Sequence, residues 1–173
     1  MSVGSNSPWE ITTAVATAIT AVTAIIIAIS TSRRARSAAR RAAISAMTAI
    51  DSTIIELERD APSAIASALN TVPCVVGFRF QTEHASQYLQ ELRETEVVDD
   101  DEHEAIAYVL RQAGDANRAM DLTQKLGLNN VEGARQLRLI ALKATHLLET
   151  DDKGFTKCQI ARKAISSARK HLK

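Results

Sequence analysis

Twenty-two consecutive positions, Ile11 to Ser32, carry no ionisable side chain, and five arginines follow within the next nine residues. Within that run Ile11, Val15, Ile19, Val22, Ile26 and Ile29 recur at steps of three and four, which predicts a helix with one strongly apolar face. The other side is small and weakly polar, with Thr13, Thr17, Thr20 and Ala24. Residues spaced in this way let two helices approach closely. A helix of this length reaches about 33 Å, against a bilayer hydrocarbon core of about 30 Å. The stretch therefore reads either as a single transmembrane span or as a helix buried in a protein assembly, and both readings predict self-association along the Ile/Val stripe.

Helical patterning does not stop at the arginines. Neither Gly nor a further Pro occurs between Pro8 and Pro62, and Ala and Arg favour helix. Met47, Ile50, Ile54 and Leu57 form an apolar seam. The expectation is a helix from about residue 9 to residue 59, roughly 75 Å long, in which residues 11–32 are the anchor and residues 33–60 a basic stalk. Residues 1–10 form a short polar N-terminus. At Pro62 a new short helix is expected, and residues 61–81 close with PCVVGFRF read as an extended linker. One apolar run of that kind cannot build a sheet.

Residues 82–173 return to helical spacing, with Tyr88 and Leu92 as core candidates. The acidic run Asp99 to Glu104 precedes AIAYVLRQAG and suits a helix N-terminus, where carboxylates meet free N–H groups. A divalent-cation or basic-partner contact is the alternative, although the spacing is not that of an EF-hand. Further helices are expected over 115–126, 131–149 and 155–171, joined by short loops that favour antiparallel neighbours. The predicted fold class is thus all-α, a long N-terminal helix followed by a small antiparallel helical-hairpin bundle.

Around residues 103–131 the hairpin resembles a tetratricopeptide repeat, whose unit is two antiparallel helices. Ile106 takes the repeat's Leu position, Ala107 its small position, Gly114-Asp115 the turn and Ala119 the crossing position. A second unit can be drawn through Leu137, Ile140 and Ala141. The chain departs from the pattern at His103, Leu110, Thr123 and Val131, which stand where the repeat has Trp, Tyr, an aromatic residue and Pro. The resemblance implies peptide or protein binding on a concave face, and it assigns no ligand-contacting residue.

Charge changes this picture more than composition does. The net charge of +1 hides segregation: residues 60–106 hold two Arg against ten acidic side chains, whereas residues 107–173 hold thirteen Lys or Arg against six. This asymmetry predicts contact between the acidic middle and a basic surface, within one molecule or between copies. Arg33, Arg34, Arg36, Arg40 and Arg41 are the candidate contacts to lipid headgroups, worth about 1 kcal/mol each at an anionic surface. Nucleic-acid phosphate is the alternative ligand, but aromatic residues make up only 3% of the chain, too few for base-stacking platforms. Positive flanks face the cytoplasm, so the expected topology has the N-terminus outside and the C-terminal domain cytoplasmic. The basic residues of the last helix, Lys157, Arg162, Lys163, Arg169, Lys170 and Lys173, offer a second basic surface.

Signatures of catalysis are missing from the sequence. Cys74 and Cys158 have no CxxC spacing and read as small core residues of a reducing compartment. His84, His103, His146 and His171 lack metal-ligand spacing, and no GxSxG, phosphate loop or HExxH occurs. No catalytic residue, metal or cofactor is expected. The functional expectation is a non-enzymatic, membrane-anchored scaffold or adaptor that binds a protein partner or copies of itself. Its alternative is a structural protein of a virus or phage particle, packing through the N-terminal helix and touching lipid or nucleic acid through the arginines.

Overall fold

The computed structural model describes the backbone of residues 8–69, 79–126 and 131–172, with side chains from Ser30 onward. It contains helices α1 (Pro8–Leu69), α2 (Glu83–Glu94), α3 (Asp100–Leu126), α4 (Val131–Leu148) and α5 (Lys157–His171). No strand occurs among the described residues, whose one β-bridge joins Thr150 to Thr156. The chain divides into two compact units, Met1–Ala42 and Ala43–Lys173. In the first, the described side chains from Ser30 to Ala42 are all exposed.

The second unit is a helical bundle with a single core. From α1 it takes Ala43, Met47, Ile50, Ile54, Leu57, Ala61, Ala64 and Ala68, none more than 8% exposed. These positions alternate steps of four and three without a break, a 3.5-residue period. α3 packs on α2, α4 and α5. Towards the core α2 turns Ala85, Leu89 and Leu92, α4 turns Leu137, Ile140, Ala144 and Leu147, and α5 turns Cys158, Ala161, Ile165 and Ala168.

Side-chain bonds fix how α5 lies on α1. Arg169 donates to the Thr48 hydroxyl at 3.3 Å, Arg162 to Asp51 at 3.0 Å, and the Thr156 hydroxyl to Glu58 at 3.0 Å. Partner numbers fall on α5 as they rise on α1, so the two helices are antiparallel. The Thr156 oxygen also accepts from the Gln159 N–H, while the Gln159 side chain accepts from the Thr156 N–H. That reciprocal cap starts α5. Asp99 and Glu102 cap α3 in the same way: the Glu102 N–H donates to Asp99 at 2.7 Å and the Asp99 N–H to Glu102 at 3.3 Å. The acidic run is therefore helix-starting chemistry, as its position suggested.

Two expected breaks do not occur. Pro62 lies inside α1 rather than opening a second helix. Its ring is on the exposed side, so the bond it cannot give to the Glu58 carbonyl and its crowding of that carbonyl both fall away from the core, while Ala61, Ala64 and Ala68 keep the seam in phase. Gly114-Asp115 is likewise no turn, because α3 passes straight through it. The buried stripe of Ile106, Val109, Leu110, Ala113, Ala116, Asn117 and Met120 crosses Gly114 uninterrupted. The register that placed a hairpin turn at Gly114 is not the one this chain adopts.

The expected linker PCVVGFRF lies outside the described residues up to Phe78, but its end is visible. Phe80 is buried; its N–H donates to Asn117 Oδ1 at 2.9 Å and its carbonyl accepts from Asn117 Nδ2 at 2.8 Å. One buried amide thus satisfies both backbone groups of the residue that leads into α2.

Gly114 supplies the test of the continuous α3. A Cβ built there meets nothing within 4 Å, and the residue lies mid-helix. Gly114→Ala should therefore stabilise the protein by about 0.5–1 kcal/mol, the usual gain over glycine in a helix interior, read as a rise in the denaturant midpoint. A left-handed turn at this position would make the same change destabilising.

Candidate functional site

α1 presents Arg33, Arg34, Arg36, Arg40 and Arg41 from an alanine-rich stretch in which every described side chain is exposed. At 100° per residue Arg33, Arg36 and Arg40 share one face, and Arg34 and Arg41 flank it. Ser37 lies inside this group. Its hydroxyl donates to the Arg34 carbonyl at 2.9 Å, and Arg41 Nε donates to the Ser37 carbonyl at 3.2 Å. The structure therefore brings all five sequence-predicted arginines into one exposed basic band. The predicted self-association residues Ile11, Val15, Ile19, Val22, Ile26 and Ile29 lie on the helical backbone of α1, but their side chains are outside the described residues. Among the residues whose side chains are described no helix is long and apolar enough to cross a membrane; the stretch expected to do so, 11–32, lies almost wholly in the part of α1 described by its backbone alone.

The second basic surface is partly used up within the molecule. Arg162 and Arg169 both turn to Asp51 of α1, at 3.0 and 3.9 Å. Lys157 lies 5.9 Å from the centre of the Tyr108 ring, and Lys163 lies over Phe155. Lys170 is exposed, and Lys173 is outside the described residues. Nothing in the sequence signalled Asp51, since its partners lie more than a hundred residues away. On the surface, acidic residues of the middle pair with nearby arginines, Asp60 with Arg59, Glu83 with Arg79, Asp100 with Arg93 and Glu104 with Arg111, the last from the basic C-terminal block.

Between α2 and α3 runs a groove of about 440 Å³. Leu89, Ala107, Leu110 and Gly114 contribute its apolar lining, and Ser86 and His103 are among its polar residues. Sequence reasoning missed it, because it exists only through the way α2 lies on α3.

Histidine and cysteine chemistry is dispersed. His84 and His171 are exposed, and His146 Nδ1 lies 3.2 Å from the Tyr108 hydroxyl and 3.7 Å from Glu149. Among the described residues no group of His, Cys, Asp and Glu could hold a metal ion. Asp151 is held below the usual carboxylate range, first by the Phe155 N–H and then by that of Lys153, which shape the turn before α5. Cys158 is fully buried; its thiol is pushed up to about 12, chiefly by burial and further by the charge of Glu58, with Arg162 acting in the opposite sense. Cys74 is outside the described residues.

Comparison with known protein families, characterised proteins and solved structures finds no match.

The raised thiol gives a pH prediction with a definite sign. The native state keeps the Cys158 proton where the unfolded chain, with an ordinary thiol near 9, loses it. Stability is thus lost as pH rises above about 9. In a Cys74→Ser background, iodoacetamide should leave Cys158 unmodified at pH 8 in native protein and label it fully in denaturant. Rapid native labelling would place the thiol in solvent.

Proposed function

We propose that this chain is a non-enzymatic, single-pass membrane-anchored helical scaffold that works through protein–protein contact or self-assembly. One observation carries the proposal: along α1 the apolar and the basic residues are separated lengthwise rather than around the helix. A helix lying flat on a bilayer divides its circumference into an apolar and a charged face. Here twenty-two residues without charge are followed by five exposed arginines on the continuing helix. That order suits a helix that leaves the hydrocarbon and meets anionic headgroups at its cytoplasmic end.

The bundle from Ala43 onward then carries the surfaces for partners, among them the α2–α3 groove and the acidic corner where α3 begins. The capping role of Asp99 and Glu102 accounts for part of that acidity, while Asp100 and Asp101 remain exposed. Peptide binding of the tetratricopeptide type draws no support from the unbroken α3.

The anchor is tested by alkaline carbonate washing of membranes carrying the full chain and a variant with Ile19→Lys and Val22→Lys. Each lysine at mid-span opposes insertion by about 2.5–3.5 kcal/mol. The native chain should stay in the pellet and the double variant should wash free. If the native chain also washes free, the particle reading takes over. It then predicts salt-sensitive nucleic-acid binding that disappears when the five arginines are changed to Gln.

A further inference from the structure

The seam that α1 turns into the bundle continues, in sequence, beyond the bundle. Counting back from Ala43 by the same alternating steps reaches Arg40, Arg36, Arg33, Ile29, Ile26, Val22, Ile19 and Val15 in turn. Only Ile11 of the N-terminal stripe falls one residue out of this register. A single amphipathic face on a straight helix follows 3.6 residues per turn and drifts about 20° per heptad from a 3.5 repeat. From Val15 to Ala68 that drift amounts to about 150°, so a register kept throughout is a heptad pattern rather than one broad apolar face. Its second half, Ala43 to Ala68, is buried in the bundle.

We propose that the α1 seam changes partner at the arginines: from Ala43 onward it packs into its own bundle, and from Val15 to Ile29 it packs against other copies of the same chain. Continuity with the buried seam carries the choice of a second copy as occupant, because the same heptad positions are filled by the same class of side chain. The contact is parallel. This orientation rests on the anchored reading above, since copies inserted the same way meet only with their N-termini together.

Register also sets the number of copies. Counted as a heptad, Ile19 and Ile26 take the a positions and Val15, Val22 and Ile29 the d positions. β-Branched residues at both positions favour three or more strands over two. Arg33, Arg36 and Arg40 hold the next a, d and a positions and are exposed. Closing the seam over them would bring like charges together and withdraw them from water, at several kcal/mol per buried ion. The arginines therefore stop the inter-copy contact and release each helix to its own bundle.

Single cysteines in the full-length Cys74→Ser chain test this in membranes, by oxidative cross-linking at Ile19, Val22, Ile26 and Ile29 and, off the seam, at Ala21, Ala24 and Ala28. Expected is a 3.5-residue periodicity, with at least fivefold more cross-linked product on the seam than off it. A bifunctional lysine reagent on the same membranes should give a ladder reaching three copies or more. Changing Arg33, Arg36 and Arg40 to Leu should increase cross-linking at Ile29→Cys. Product strongest at Ala21, Ala24 and Ala28 would instead put the small-residue face at the contact and overturn the proposal, as would no product at any position. An unchanged yield at Ile29→Cys would remove the arginines' role. Cross-linking is read separately in the carbonate pellet and wash, so failure of the anchor and failure of the seam give different results.

Discussion

The buried seam of α1 is the constraint on which the bundle depends. Eight residues at alternating steps of four and three, from Ala43 to Ala68, are almost completely removed from water. Burying an Ile, Leu or Met side chain is worth about 1.5–3 kcal/mol, and Met47, Ile50, Ile54 and Leu57 are all among them. The last three residues of the seam, Ala61, Ala64 and Ala68, are alanine, which lets neighbouring elements come close. Large residues followed by small ones along one line give the bundle a directional contact surface on this helix, and the remaining helices supply the complementary stripes.

Apolar packing alone would tolerate slippage of one helix turn, and a small set of polar contacts removes that freedom. On α5, Arg169, Arg162 and the Thr156 hydroxyl meet Thr48, Asp51 and Glu58 in matching order. A one-turn slip would separate all three contacts at once. The Thr156 contact also links a helix cap to a neighbouring helix, so that starting α5 and docking it use the same oxygen. On the other side of the bundle, the pairing of Asn117 with the Phe80 backbone fixes where the chain enters α2. Replacing that amide by an apolar residue of similar size would take the Asn117 acceptor from the buried Phe80 N–H, while the Phe80 carbonyl would still accept from the Thr82 N–H; losing a buried partner of this kind costs about 1–3 kcal/mol.

Much of the fold was legible because it is written in periodicity. The helices near 83–94, 131–148 and 157–171, the seam from Met47 to Leu57 and the acidic helix start at Asp99 all follow from local spacing. Pro62 and Gly114 misled because each is punctuation only when nothing nearby opposes it. A helix-interior proline costs about 3 kcal/mol and a glycine about 1 kcal/mol. Ending α3 at Gly114 would part Ile106, Val109 and Leu110 from Ala116, Ala119 and Met120, a larger loss than the glycine imposes. Asp51, Asn117 and the α2–α3 groove were illegible for a different reason. Their partners are distant in sequence, and a polar residue inside a helical pattern carries no mark of what it will face.

The arginine band shows how the two kinds of information combine. Read by composition, Arg33 to Arg41 is a charge cluster after an apolar run, and its ligand is whatever anion lies near. Read in the register of the seam that the bundle buries, Arg33, Arg36 and Arg40 stand where a core residue would otherwise stand. All three are exposed in the structure; were the seam to close over them, each charge would cost more than one left on a solvated face, and this opposes the packing proposed for the segment before them. Lipid attraction of about 1 kcal/mol per arginine would be available from any exposed face. Placement on the seam is needed only if the seam itself has to be interrupted, which distinguishes a boundary between two packing environments from a simple basic patch.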